Sequence, residues 1–330
     1  MSTLSWNYRG LGNPRSVQEL VDLVSTKKPK LVFLMEIKVG RLQVDRVRNK
    51  LQYEGSFVVD SVRGGGGLVL LWKEMSWVKL ISFSRNHIDV VVKIPDMREW
   101  RLTGFYGFPE RSRRRESWEL LKNLSRRSDL PWCCIGDFND LLTQSEKRGQ
   151  LMHPYYLIQG FREAVEFCGL RDMGMEGYPF TWEKSRGAFN WIEERLDRAM
   201  STQRWSTLFD TACVYNLETI SFDHSALLLD FLEKKVSRRR RFHFENAWIK
   251  EEDYRHLVGV SWSHGGRSIA ECGHDLRVWG EEKRLLFKNK IKECKRRMKE
   301  LKFKRDGVSL QRFKEVSSEY SSILDQQEDY

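Results

Sequence analysis

Six short stretches of this chain share one design: an apolar or β-prone run that stops on a polar residue. Trp6 gives way to Asn7, Met35 to Glu36, and Phe105 to Tyr106; Gly136 is followed by Asp137-Phe-Asn139, Arg195-Leu196 by Asp197, and Ser221-Phe222 by Asp223-His224. Short apolar runs bounded by turn residues are the signature of buried strands. Residues just past strand ends lie in the loops where sites are built. Several strands would each deliver one polar residue at their end, and such residues can converge on one rim of a sheet sandwich.

The stretch Pro131-Trp-Cys-Cys-Ile-Gly-Asp-Phe-Asn-Asp140 carries the pattern furthest. Trp132 to Ile135 reads as a buried strand that Gly136 ends. Asp137 and Asn139 are one residue apart, and residues i and i+2 at a strand end point to the same side. A carboxylate and a carboxamide would leave the sheet together, suited to a metal-bound water or a phosphate oxygen. Each position also has a plainer reading. Asp137 and Asn139 suit an ordinary turn, as does Asn7. Glu36 is a surface acid by default and Tyr106 a strand aromatic. Asp197 between Arg195 and Arg198 fits a solvated ion pair, and Asp223-His224 a turn with a surface histidine. The recurrence of the pattern, not any one member, argues for a site.

The rest of the chain supplies the frame. Apolar runs predict strands at Thr3–Trp6, Leu31–Met35, Phe57–Asp60, Leu68–Trp72, Val78–Ser82, Ile88–Ile94 and Trp100–Tyr106. Helical spacing marks Ser16–Ser25, Val44–Leu51, Glu110–Arg127 and Leu157–Cys168. Gly64–Gly67 precedes a strand-like run without a following Lys-Ser/Thr, so it reads as a flexible turn and not as a phosphate loop. The order is not a regular βαβ alternation. Two packed sheets flanked by helices suit it better.

Charge narrows the partners. The chain carries 57 Lys and Arg against 46 Asp and Glu, net +11, of which +8 falls in residues 234–330. A basic balance favours polyanions, nucleic acid first and anionic membrane second. Six cysteines without CxxC spacing indicate neither a zinc site nor a disulfide framework. Neither a signal peptide nor a bilayer-length apolar run is evident, so the expectation is a soluble protein that is not secreted. Beyond Lys234 the basic run Lys234–Arg241 reads as a linker or nuclear-localisation patch. Phe287, Ile291, Cys294, Met298 and Leu301 then form one amphipathic stripe, and Leu310, Phe313, Val316, Tyr320 and Ile323 a second. Asp306-Gly307 separates them, which predicts an antiparallel helical hairpin without chemistry of its own.

Seven stretches in order carry a resemblance: Leu4-Ser-Trp-Asn-Tyr-Arg-Gly-Leu-Gly-Asn-Pro14, Leu34-Met-Glu-Ile-Lys38, Gly65-Gly-Gly-Leu-Val69, Gly104-Phe-Tyr-Gly107, Ile135-Gly-Asp-Phe-Asn139, Arg195-Leu-Asp-Arg-Ala199 and Asp223-His-Ser225. Over residues 1–233 the chain resembles the endonuclease/exonuclease/phosphatase (DNase I-like) superfamily, and most closely the apurinic-type endonuclease domain of plant LINE-type non-LTR retrotransposons. The resemblance implies an α+β fold, a four-layer α/β sandwich of two packed mixed β-sheets flanked by helices, here with a C-terminal α-helical extension. It implies a Mg²⁺-dependent (Mn²⁺ as the alternative) endonuclease that nicks DNA, acting in the nucleus or otherwise the cytoplasm, with no membrane partner. By matching position, Glu36, Asn7 and Asp223 are the metal residues. His224 is the catalytic histidine, Asp197 orients it, Asp137 and Asn139 position water and phosphate, and Tyr106 binds phosphate. Whether Asp137 or His224 is the base stays open at this point.

Two positions depart from the superfamily pattern. Arg9 stands where many relatives carry an acid or amide, although close relatives often carry Arg there too. Phe222 stands where Ser often precedes Asp-His. The expected layout is an enzyme domain at 1–233, a basic linker at 234–249 and a helical extension at 250–330. With no Tyr/Phe-Ala-Asp-Asp polymerase signature, the chain reads as the nuclease with the linker that would lead into a polymerase. The rival readings are a catalytically impaired nucleic-acid-binding fragment and a phosphatase or phosphodiesterase of the same fold.

Overall fold

The computed structural model describes residues 1–61, 66–186, 188, 190–217, 219, 222–231, 269–304 and 306–329. The chain divides into two compact units, residues 1–234 and 235–330. In chain order the first unit contains β1 (Ser2–Asn7), α1 (Pro14–Lys27), β2 (Leu31–Met35), α2 (Arg41–Lys50), β3 (Gly55–Val59), β4 (Leu68–Trp72), β5 (Val78–Ser84), β6 (His87–Val92) and β7 (Trp100–Tyr106). It continues with α3 (Arg114–Ser125), β8 (Trp132–Asp137), β9 (Lys147–Arg148), α4 (Tyr155–Phe167), β10 (Leu170–Asp172), β11 (Trp182–Lys184) and β12 (Ile192–Glu194). It closes with β13 (Asp197–Thr202), α5 (Gln203–Leu208), β14 (Cys213–Leu217) and β15 (Ala226–Asp230).

Two six-stranded mixed sheets dominate, ordered β14-β15-β1-β2-β4-β3 and β10-β13-β8-β7-β6-β5, with a small third sheet β11-β12-β9. The apolar runs explain their stacking. In β2, Leu31, Phe33 and Met35 face a core shared with Ile88, Leu102 and Ile135 of the second sheet, while Val32 and Leu34 face Leu20 and Val24 of α1 and Val44 of α2. A strand buried on both faces has no polar alternation to show, which is why β2 reads as a continuous apolar run. On the far side, Trp132 and Cys134 of β8 pack on Leu121 and Leu124 of α3 and Phe161 of α4. The layers are therefore helix, sheet, sheet, helix: an α+β sandwich of four layers. Each large core side chain contributes roughly 1.5–3 kcal/mol by leaving water. Gly104 lets the two sheets approach, because a Cβ there would lie 2.5 Å from the Phe33 ring.

Register sets the rim. β1 and β2 are parallel with Asn7 opposite Met35, and β7 and β8 are parallel with Tyr106 opposite Asp137. β13 is antiparallel to β8 with Asp197 opposite Asp137, and β15 is antiparallel to β1. The C-terminal ends of four strands and the N-terminal ends of two thus open on the same side.

Several boundaries differ from the sequence expectation for local reasons. Gly136 does not end β8; it stays in the ladder, paired with Phe105 and Arg198, and the strand runs to Asp137. Its φ of +148°, and a Cβ position only 2.0 Å from the Phe105 carbonyl oxygen, exclude any side chain. α3 begins at Arg114, after a 3-10 turn at Arg111–Arg113. Cys133, Cys134, Cys168, Cys213 and Cys294 are free thiols.

In the second unit, α6 (Ile269–Lys302) and α7 (Gly307–Asp329) form the hairpin. Cys294 and Met298 of α6 and Phe313, Val316, Tyr320 and Ile323 of α7 are buried, and Arg297 pairs with Glu319 at 2.9 Å. The short connection forces the two helices antiparallel. The linker proposed at 234–249, the start of the extension at 250–268, and Ser221, Gly64 and Gly65 lie outside the described residues. No described helix is long and apolar enough to cross a membrane.

Candidate active site

The rim brings all eight sequence-predicted residues together. Asn7 is the hub. Its Nδ2 donates to Glu36 Oε1 at 3.0 Å and to Asp137 Oδ2 at 2.9 Å, and lies 3.3 Å from His224 Nε2. An amide nitrogen has two hydrogens, and the two carboxylates take both. His224 Nε2 lies 3.9 Å from Asp137 Oδ2. The two carboxylates also fix the amide orientation, since a flipped Asn7 would turn its oxygen on them.

On the other side of the ring, His224 Nδ1 meets Asp197 Oδ2 at 2.8 Å. Asp197 is not the solvated partner of its arginine neighbours. It is buried, while Arg195 and Arg198 turn away to Glu146 and Asp172. Asn139 has a left-handed backbone, φ +56°. Its N–H donates to Asp137 Oδ1 and its Nδ2 to Asp137 Oδ2, at 2.8 and 2.9 Å. The two side chains do not project side by side from a strand. Asn139 folds back and fixes Asp137, so the turn and the site are the same structure. Tyr106 Oη donates to Glu36 Oε1 at 3.0 Å.

The sequence pattern missed the supports. Thr181 Oγ1 accepts from the N–H groups of Leu196 and Asp197, and its carbonyl accepts from Ser225 N–H. One residue thereby aligns both halves of the Asp197–His224 pair. Trp6 Nε1 and Thr219 Oγ1 both donate to the His224 carbonyl. Phe222 packs edge-on against Trp6 at 4.9 Å and also contacts Tyr8, so it anchors the His224 loop from the apolar side. The only signal for Thr181 was its place in the Phe180-Thr-Trp182 loop, which is too common to single out.

Electrostatics separate the roles. Burial raises Asp137 to about 7, reinforced by the Asp197 charge and opposed by His224 and Asn7. Burial works against a charged His224, yet Asp197, Asp137 and Asp223 override it and raise the imidazole to about 9. Burial also opposes the Glu36 charge, but hydrogen bonds from Asn7 and Tyr106 and the Arg9 charge hold its carboxyl below the ordinary range. Tyr106 is raised by burial and by Glu36, so it stays a neutral donor.

Two groups of residues bear on a metal. Asp137, Asp197 and His224 place one ligand atom each within 4.8 Å of one another, the one such acidic/histidine group among the described residues. Of the three, only His224 and Asp197 hydrogen-bond each other, and Asp137 is held by Asn7 and Asn139. The alternative is Glu36, Asn7 and Asp223, which offer hard oxygens of the kind Mg²⁺ and Mn²⁺ prefer. The buried Asn7 Oδ1 has no hydrogen-bond partner, the expected state of an oxygen reserved for a ligand. These residues fit a divalent ion, with one complication. Arg9 donates from Nε to Glu36 Oε2 at 3.0 Å and from Nη1 to Asp223 Oδ2 at 2.6 Å.

Comparisons with known proteins bear on the family and the fold. Residues 4–212 match the family model described as the Endonuclease/Exonuclease/phosphatase family. No curated protein matches the chain by sequence. Among solved structures, the endonuclease domain of TRAS1, a telomere-specific non-LTR retrotransposon, is 17% identical, covers 71% of this chain and 99% of its own, and superposes with a TM-score of 0.50. The 3'-5' exonuclease NExo from Neisseria meningitidis is 16% identical over 70% of this chain and 99% of its own, TM-score 0.54. An AP endonuclease from Archaeoglobus fulgidus is 15% identical over 71% and 100%, TM-score 0.53. At these identities the likeness is one of fold.

Proposed function

The chain belongs to the endonuclease/exonuclease/phosphatase family, and from that premise we propose that it is a divalent-metal-dependent endonuclease that nicks DNA. The observation that carries this reading is the convergence on one rim of a buried Asp197–His224 pair, an Asp137 carboxyl raised toward neutrality, and the Glu36–Asn7 oxygens beside them. The net charge of +11 supports a polyanionic substrate. The fold likeness to a retrotransposon endonuclease domain and to an AP endonuclease supports DNA over other phosphoesters. A nuclear site of action and a retrotransposon origin follow from the same reading.

The side chains divide the chemistry. Glu36, Asn7 and Asp223 would hold Mg²⁺ or Mn²⁺, which when bound offsets negative charge on the phosphodiester. Asp137 is the base. A carboxyl near 7 accepts a water proton at neutral pH with useful driving force, and Asn139 fixes its orientation. His224, protonated below about 9, presents Nε2–H to a phosphate oxygen or to the leaving oxygen, with Asp197 sharing its charge. Tyr106, held neutral, adds an O–H donor near Glu36.

The test is a supercoiled-plasmid nicking assay with Mg²⁺, Mn²⁺ and EDTA, on wild type and on Glu36→Ala and His224→Ala. Metal-dependent conversion to open circles that both substitutions abolish is expected. Folded wild-type protein that does not nick with either metal would overturn the reading. Arg9, lying across Glu36 and Asp223, favours a second reading: a fragment that binds nucleic acid without cutting it. That protein would retain salt-sensitive DNA binding and show no nicking under any metal condition.

A further inference from the structure

Arg9 occupies a position that the proposed chemistry leaves unexplained. It lies two residues past Asn7, and its guanidinium bridges carboxylates from two separate strand ends, Glu36 and Asp223. Glu36 Oε1 already receives two neutral donors, Asn7 and Tyr106. Oε2 is the oxygen through which Glu36 meets positive charge, from Arg9 at 3.0 Å and from the Lys38 ammonium at 3.8 Å. Asn7 Oδ1, buried without a partner, remains available beside them. The same carboxylates are the ones assigned to the divalent ion. A guanidinium and a divalent ion cannot both sit on Glu36 Oε2 and Asp223 Oδ2, because the oxygens are shared and the cations repel.

The exposures show which partner is able to leave. The Arg9 side chain is 46% exposed, against 10% for Glu36 and 28% for Asp223. Glu36 is held by Asn7 and Tyr106, whereas the arginine reaches in from solvent on a long flexible stem. Rotation about that stem frees both carboxylates without moving a strand. We propose that Arg9 is a resident counter-cation of the Glu36–Asp223 pair, which a divalent ion must displace before the site is loaded. In the metal-free protein it neutralises two acids that would otherwise repel. Its displacement lowers the net affinity for metal. It also sends a guanidinium toward the solvent side of the rim, where an anionic phosphodiester would take it up. Metal and DNA should then bind with positive coupling, each raising the affinity for the other by the same factor.

The inference rests on the metal site of the proposed function, and the test separates the two. Mn²⁺ binding to the full chain without DNA is measured by electron paramagnetic resonance for wild type, Arg9→Ala, Arg9→Gln, Glu36→Gln and Arg9→Ala/Glu36→Gln, with thermal unfolding as the folding control. Removing one cation from a carboxylate pair is expected to tighten Mn²⁺ binding at least about tenfold, and Glu36→Gln is expected to weaken binding in both backgrounds. A merely structural arginine would give the opposite sign, since its loss would loosen the site. Equal or weaker Mn²⁺ binding by folded Arg9→Ala and Arg9→Gln overturns the inference while Glu36 sensitivity leaves the metal site standing. Insensitivity to Glu36→Gln in both backgrounds overturns the metal site itself, and the inference with it. Should both Arg9 variants fail to fold, arginine Nε resonances of ¹⁵N-labelled wild type decide. Mg²⁺ should shift the Arg9 signal away from its carboxylate-bonded position, and an unmoved signal at saturating Mg²⁺ counts against displacement.

Discussion

The rim has an inner and an outer half, and they are built on different principles. In the inner half, Asp137, Asn139, Asp197 and His224 are buried, and each hydrogen-bonds a neighbour of the same set at 2.8–2.9 Å. In the outer half, Glu36 and Asp223 are joined through an arginine that is nearly half exposed. The inner half holds its protons in place; the outer half holds a cation that solvent can exchange. Low dielectric explains the contrast. A buried polar group is costly unless its partners are fixed, so the inner set is rigid by necessity. Charges near water interact weakly enough to be rearranged.

This contrast makes ordered predictions. Asp137→Asn or His224→Ala should lower the nicking rate at saturating metal by roughly 10²–10⁴-fold, the usual worth of a positioned acid or base, with Mn²⁺ affinity little changed. Glu36→Gln should do the reverse. The Mn²⁺ concentration for half-maximal rate should rise about 10–100-fold, with much of the rate recovered in excess metal. If both substitutions acted mainly on rate, or both mainly on metal demand, the division into halves would be wrong.

Asp197→Asn sharpens the inner half. Without its carboxylate the imidazole loses the main influence that raises it, so the alkaline limit of the pH–rate profile should move from about 9 toward the ordinary histidine value. The same shift has a stability counterpart. The folded-state value lies above the ordinary 6.5, so folding takes up a proton. That stabilisation is full below about 6.5 and is lost as pH rises through about 9. Urea unfolding in EDTA should therefore show wild type losing on the order of 1–3 kcal/mol relative to His224→Asn between those pH values. The smallest effect belongs to Lys38, 41% exposed and 3.8 Å from Glu36. Lys38→Ala should change metal half-saturation less than about threefold.

How much of this was legible in the sequence follows from where the determining forces lie. β2 and β4 were readable to the residue, because burial on both faces leaves an uninterrupted apolar run in the chain, and β7 was readable although Arg101 and Thr103 interrupt its apolar positions. β9, β11 and β12, two or three residues each, were not, since they exist by pairing with partners up to about 45 residues away. The eight residues gathered at the rim were singled out through their order along the chain and their places at or near strand ends. The bond network was not. Nothing near Arg9 in sequence announces Glu36, 27 residues on, or Asp223, 214 residues on. The reading of Asp197 as a solvated ion-pair residue would have failed for the same reason, because its arginine neighbours are drawn away by Glu146 and Asp172. Phe222, which looked like the loss of a hydroxyl, is also a packing residue against Trp6 and Tyr8.

The place of β15 in the first sheet has a further consequence, for synthesis. It lies between β14 and β1, pairing with the first strand of the chain, and the loop just before it carries Asp223 and His224. A ribosome that has finished β14 has already released six of the eight rim residues, yet the first sheet still has a gap beside β1. Asn7 has no imidazole to face and Asp197 nothing to orient. The site comes into being only when the last strand closes over the first. A growing chain therefore holds an incomplete set of rim residues until the loop before β15 has been made.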